Sequence, residues 1–148
     1  MSRGKDLQQG ETFTLAASAA RIAGANGDWV YFGGERSRFV FLLAITASAT
    51  DAGDTLDVYI DVSFDGTTSA GNAAHFTQQA GTGAAASEYA VLDASAPGTS
   101  VIAVTSDAAG AAVRPALFGP YYRARWAIVD AAGAADQSHT FSVTGYAI

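Results

Sequence analysis

A chain of 148 residues with a formal net charge of −6 is long enough for one domain with its own hydrophobic core. The absence of cysteine excludes disulfide bonds, and the excess of fourteen acidic over eight basic residues disfavours nucleic acid as a partner. The polar N-terminus and the lack of an apolar run near the length of a membrane span, about 20 residues, predict no secretion signal and no membrane partner.

The chain begins with a polar segment, residues 1–11, which we expect to be a flexible N-terminal arm before a single domain over residues 12–148. No segment has a sustained helical period, whereas short alternating segments follow one another between turns rich in Gly, Asp and Pro. Besides two strands in the last thirty residues, the predicted strands are 12–17, 28–32, 37–49, 55–64, 74–79, 88–92 and 100–105.

The two longest predicted strands, 37–49 and 55–64, are expected to pair as an antiparallel hairpin. The second alternates apolar and polar residues, which predicts one buried face. The first also carries Val40, Leu42 and Ala44 on its other face. That strand is therefore expected to be buried on both sides or covered by a neighbour.

The last thirty residues, 119–148, read as another hairpin. Alternation in its first strand predicts that Trp126 faces the core and that Arg123 and Arg125 face away from it. The chain ends within the second strand, so we expect Ile148 to be held in place. Together the short, regularly spaced strands predict an all-β fold, a single antiparallel β-sandwich of the jelly-roll type with about eight strands.

Charge is segregated along the chain. Between Phe39 and Val113 there are eight acidic residues and no Lys or Arg. Two interpretations are open: an acidic domain whose cations happen to cluster, or two surfaces of opposite sign that meet across a subunit contact. The candidates for contacts with another subunit or with a capsid are Arg3, Lys5, Arg36, Arg38, Asp57, Asp61, Arg123 and Arg125.

Arg123 and Arg125 have three possible partners. They can lie over a neighbouring strand that carries Asp57 and Asp61, face another subunit, or bind an anionic ligand. The aspartates themselves are about 13 Å apart on their strand, too far for both to bind one calcium ion, and this predicts a solvated acidic face. No metal is expected there, although the turn at 51–54 remains open as a weak cation site.

No residue pattern indicates catalysis or a bound cofactor. The two histidines, His75 and His139, lack the partners of a catalytic triad or a structural zinc site, and we expect both to be surface strand residues. Trp29 could stack on a sugar if it is exposed, with core packing as the alternative. The chain is therefore expected to be a non-enzymatic protein without a cofactor.

Two passages resemble small structural proteins of tailed bacteriophages. The first, LDVYIDVSFDGTT at 56–68 followed by HFTQ at 75–78, resembles a unit of strand, Asp-Gly turn and strand in those proteins. The second, GPYYRARWAIVD at 119–130 followed by HTFSVTGYAI at 139–148, resembles their terminal hairpin. The two passages cover about a third of the chain.

The resemblance implies a β-sandwich protein of the virion, made in the host cytoplasm. The size of the chain, the lack of catalytic residues and the layout of an arm before a sandwich favour a capsid decoration (cement) protein on the capsid exterior. Such a protein would bind the major capsid protein without covalent bonds. Such proteins are usually homotrimers, and an N-terminal arm can lie on a neighbouring subunit. The alternatives are a tail or head–tail junction protein, or a β-sandwich module that binds a carbohydrate or a receptor.

Overall fold

The structure is a computed structural model that describes residues 10–98 and 100–148. These residues form antiparallel sheets packed together, and they contain no helix that could cross a membrane. Arg3, Lys5 and most of the predicted N-terminal arm lie outside the described residues. The first strand begins at Glu11, the last residue assigned to that arm.

Eleven strands are present in the described part of the chain. In chain order they are β1 (Glu11–Arg21), β2 (Ala25–Asn26), β3 (Val30–Tyr31), β4 (Arg38–Ala47), β5 (Thr55–Ser63), β6 (Ser69–His75), β7 (Gln79–Ala80), β8 (Ala86–Asp93), β9 (Ala112–Val113), β10 (Tyr121–Val129) and β11 (His139–Ala147).

The strands form a four-stranded sheet in the order β1-β11-β4-β8 and a second sheet in the order β2-β10-β5-β6-β9. In the second sheet β3 also pairs with β10, and β7 pairs with β5. Because β2 and β3 are two pieces of one interrupted strand along β10, and β7 and β9 are two-residue additions, eight principal strands remain. Their order is that of a jelly roll, which confirms the predicted all-β sandwich.

The core lies between the sheets, where alternation along each long strand places apolar side chains. Phe39, Phe41 and Leu43 of β4 are almost completely buried, as is Tyr122 of β10. The rings of Phe39 and Tyr122 are 4.5 Å apart, which joins the two sheets. Burial of one such side chain contributes roughly 1.5–3 kcal/mol, so these strands hold the sandwich together.

Both predicted hairpins are wrong. β4 lies in the four-stranded sheet and β5 in the other, and β10 and β11 are divided in the same way. Each connection therefore crosses from one sheet to the other. The error has a physical cause: two strands of one hairpin and two strands facing each other across a sandwich core both bury every second residue.

The predicted strand at 100–105 is also wrong. This segment lies in an irregular connection, and the side chains of Val101, Ile102 and Val104 are exposed. Their β-branched side chains favour extended backbone, but a strand also needs a neighbour with which to form hydrogen bonds. The edge of β6 is paired instead with Ala112–Val113.

The C-terminus is held in the sheet, as the alternation predicts. The backbone N–H of Ile148 donates to the carbonyl oxygen of Arg38 at 2.9 Å, and the N–H of Ser37 donates to the carbonyl oxygen of Ile148 at 2.7 Å. The last residue is therefore anchored beside the first residue of β4.

Candidate functional site

A layer of polar side chains covers the outer face of the second sheet. β5 directs its apolar residues inward, which leaves Asp57, Tyr59 and Asp61 on its outer face. These side chains are not solvated: Asp61 is only 2% exposed and Tyr59 only 9%. The predicted solvated acidic face is therefore wrong, because arginines from β10 and the backbone around Ala108 lie over this strand.

Asp61 lies between two arginines, as one of the sequence interpretations predicts. In the pairing of β10 with β5, Arg123 is directly opposite Asp61. The Nε–H groups of Arg123 and Arg125 donate to the Asp61 carboxylate at 3.1 and 3.2 Å. Arg125 also donates from Nη2 to Asp107 at 2.7 Å. Asp61 and Asp107 of the acidic segment are thus paired with the arginines of β10 within the chain.

Aromatic rings extend this polar layer to both sides. The guanidinium of Arg125 lies 3.9 Å from the ring centre of Tyr59, which stacks on the ring of His75 at 4.1 Å. Burial, followed by the charge of Asp57, raises the pKa of Tyr59, so its hydroxyl stays neutral. On the other side the guanidinium of Arg123 lies 4.3 Å from the ring centre of Trp29, so one face of that ring is covered by the chain itself.

Both ring nitrogens of His75 are used by hydrogen-bond partners. Nδ1 lies 2.8 Å from the carbonyl oxygen of Ala108, and Nε2 lies 2.8 Å from Oδ1 of Asp57. A carbonyl oxygen can only accept, so Nδ1 carries a proton. His75 is 9% exposed, which makes its prediction as a surface residue wrong, since the connection before β9 covers it.

The basic candidates Arg36 and Arg38, which lie within the described residues, are also paired within the chain. Arg36 forms an ion pair with Glu11, and Arg38 of β4 pairs with Asp93 of β8 at 2.9 Å. Such pairs near the surface contribute at most about 1 kcal/mol each. That Arg36, Arg38 or the arginines of β10 contact another subunit or a capsid stays a prediction.

The outer face of the four-stranded sheet carries a patch of apolar side chains that the described residues do not cover. Tyr146, Val40 and Val91 lie side by side across three strands, and Leu42 pairs with Tyr89 in the next row. Tyr89 is 73% exposed, and Leu42, Val91 and Tyr146 are each exposed by a third or more. We call these five residues the apolar face. The sequence predicted that β4 is buried on both sides or covered by a neighbour. No described segment covers the outer face of this strand.

One group of acidic residues could hold a metal ion. Asp54, Asp130 and Asp136 bring one carboxylate oxygen each to within 4.8 Å of the others, at one end of the sandwich. Of the turn suggested by the sequence, only Asp54 belongs to this group. Oδ1 of Asp51 accepts from the N–H of Gly53 within the turn.

His139 lies close to this acidic group and is completely buried, so its prediction as a surface residue is wrong. The sequence contained a signal for this, because His139 is in phase with the buried Phe141 and Val143 of the same strand. Burial lowers the pKa of His139, with the charge of Asp54 acting in the opposite direction. Nδ1 accepts from the N–H of Ala49 at 3.4 Å, so the proton of the neutral ring is on Nε2.

Comparisons with protein-family models, with curated proteins and with solved structures find no match to this chain.

Several residues of these sites have no signal in the sequence. Asp107 and Ala108 reach the polar layer only because the long connection before β9 folds over the second sheet. Asp130 and Asp136 come near Asp54 only because β10 pairs with β5. Strand pairing between distant segments decides both groupings, and alternation does not reveal such pairing.

Proposed function

We propose that this protein is a structural protein of a tailed-phage virion, a capsid decoration protein that associates through the apolar face without covalent bonds. The observation that carries the proposal is the apolar face itself. Contiguous exposed apolar residues on a sheet typically mark an interaction surface. The resemblance of two passages to phage structural proteins supports the placement in the virion.

The chemistry of the face favours a protein surface as the partner. Its centre has aliphatic and aromatic side chains and no charge, while the ion pair of Arg38 with Asp93 lies at its rim. Depletion of charge and enrichment in Tyr are typical of the buried centre of protein interfaces. The partner that we propose for this face is the major capsid protein on the outside of the shell. The resemblance implies that the decoration protein itself assembles as a homotrimer.

The polar layer supports a non-enzymatic role. Its charged groups are directed at one another: Asp61 is shared by two arginines, and both nitrogens of His75 have partners. A catalytic group needs a free lone pair or proton aimed at a substrate. These side chains stabilise the pairing of β5, β6 and β10 instead.

Electron cryo-microscopy of the purified virions tests the location. We expect density for a β-sandwich on the outer surface of the head, with its four-stranded sheet against the shell. Density confined to the tail or to the head–tail junction would contradict decoration, and absence of the protein from the particles would contradict any virion role.

A pair of variants tests the contact surface. Leu42→Glu places a charge in the apolar face, and we expect it to abolish co-sedimentation with capsids that lack the protein. Val101→Glu is the matched control, because Val101 is fully exposed on the connection before β9. It should bind like the wild type. Equal binding by both variants, with unfolding midpoints near the wild type, would exclude the apolar face as the contact.

A further inference from the structure

The acidic group at the end of the sandwich brings together two connections, the one from β4 to β5 and the one from β10 to β11. Asp54 immediately precedes β5, and Asp130 immediately follows β10. Since β5 and β10 are antiparallel, with Thr55 opposite Val129, these two aspartates lie at the same end of the sheet. Asp136 belongs to the connection from β10 to β11, and its carbonyl oxygen accepts from the N–H of Thr50.

Asp54 has a buried carboxylate oxygen without a partner. The residue is completely buried, and its Oδ1 accepts from the N–H of Ala131 at 2.9 Å. Its Oδ2 has no hydrogen-bond partner among the described residues, and the same holds for the buried Oδ1 of Asp136 and Oε1 of Gln137. A buried carboxylate is costly unless a donor or a cation balances it.

No basic side chain balances these charges within residues 10–98 and 100–148. The ion pairs of this part of the chain do not include Asp54, Asp130 or Asp136. The neighbouring imidazole of His139 has its proton on Nε2 because Nδ1 accepts from Ala49. A protonated nitrogen donates and does not bind a metal, so the available ligands are oxygen atoms.

We propose that Asp54, Asp130 and Asp136 bind one Ca²⁺ ion. Calcium takes oxygen ligands at about 2.3–2.6 Å, so two of its ligands are at most about 5 Å apart. The three carboxylate oxygens lie within 4.8 Å of one another, so they fit the coordination sphere of one Ca²⁺ ion. The amide oxygen Oε1 of Gln137, the residue after Asp136, is also buried without a partner, and amide oxygens are among the ligands that calcium takes. The ion would fasten the connection from β10 to β11 to the start of β5.

This inference does not depend on the proposed function. Its test is calorimetric titration of the full chain with CaCl₂ after treatment with EDTA. We expect saturable binding of one ion with a Kd of about 1 mM or lower, and a melting temperature that rises with the calcium concentration. Heats or melting temperatures that do not respond to calcium would overturn the proposal, as would binding of magnesium in preference to calcium.

Two variants at the acidic group identify the ligands. Asp130→Asn and Asp136→Asn each remove one charged ligand near the surface, and we expect each to weaken calcium binding at least about tenfold. Asp51→Asn is the matched control in the neighbouring turn and should bind like the wild type. If Asp51→Asn weakens binding as much as Asp136→Asn does, the assignment is overturned. A wild type indifferent to calcium, with both variants more stable in EDTA, would indicate carboxylates that share protons and would also overturn it.

Discussion

Asp61 illustrates how a residue that the sequence places on a polar strand face becomes buried. Alternation correctly assigned it to the face opposite the core, and it also placed Arg123 and Arg125 on the corresponding face of their strand. The prediction that the arginines lie over Asp61 is confirmed. What alternation omits is that long side chains and a folded-over connection can exclude water from an outer face.

Substitution of Asp61 tests this polar layer. Asp61→Asn leaves two partly buried guanidinium groups without a counter-charge, and we expect it to lower the free energy of unfolding by about 3 kcal/mol, measured by urea titration. Asp28→Asn, at an exposed position, is the control and should change it by less than about 0.5 kcal/mol. A change of the same size in both variants would contradict the structural role of Asp61.

Asp93 gives a prediction about pH. The hydroxyl and N–H of Ser95, followed by Arg38, lower the pKa of Asp93 to about 2. Because this pKa is lower in the folded state than in the unfolded chain, the ionised carboxylate stabilises the fold above about pH 4, and the contribution is lost as the pH falls towards 2. Carboxyl-carbon NMR should give a midpoint near 2 for Asp93.

Variants of two serines check the cause of this shift. Ser95→Ala removes the largest contribution, so the midpoint for Asp93 should rise towards its ordinary value. Ser106→Ala is the control and should leave the midpoint unchanged. A midpoint that is insensitive to Ser95→Ala would show that the hydrogen bonds do not hold the pKa low.

At the scale of strands, alternation predicted faces correctly and partners incorrectly. Phe39 and Phe41 of β4 and Val58 of β5 face the core as expected. Tyr122 and Phe141 do the same on the last two long strands. However, each supposed hairpin is divided between two sheets. A strand next to its neighbour in sequence and a strand across the core bury the same phase of residues, so only the tertiary structure decides between them.

Introduced cysteines test the strand pairing, and the chain has no cysteine of its own. Leu42→Cys with Thr144→Cys joins directly opposed positions of β4 and β11, so we expect a disulfide to form under mild oxidation. Leu42→Cys with Ser63→Cys is the matched control. A hairpin centred on the turn at 51–54 would place these two residues opposite each other, whereas the structure places them in different sheets.

Mass spectrometry of proteolytic fragments identifies the linked peptides. We expect the disulfide in the first pair and not in the second. The reverse pattern would mean that β4 and β5 form the hairpin and that the two sheets are divided differently.

At the scale of the whole molecule, the jelly-roll order explains why the sites were only partly visible in the sequence. Most principal strands that follow one another along the chain lie in different sheets, with β5 and β6 as the exception, so each sheet is built largely from distant segments. The pairing of β5 with β10 places Asp61 under its arginines and Asp54 beside Asp130. The uncovered outer face of the other sheet results from the same arrangement, with β4 at its centre rather than at an edge.

The sequence by itself determined an all-β sandwich, the buried phase of each long strand, and the outward faces on which Asp61 and the arginines of β10 lie. These features follow from local periodicity, which needs only neighbouring residues. Only the tertiary structure decided the division of strands between the sheets, the burial of His75 and His139, and the acidic group at Asp54. The physical reason is that contacts between distant segments depend on which sheet each strand joins, and alternation is the same for either choice.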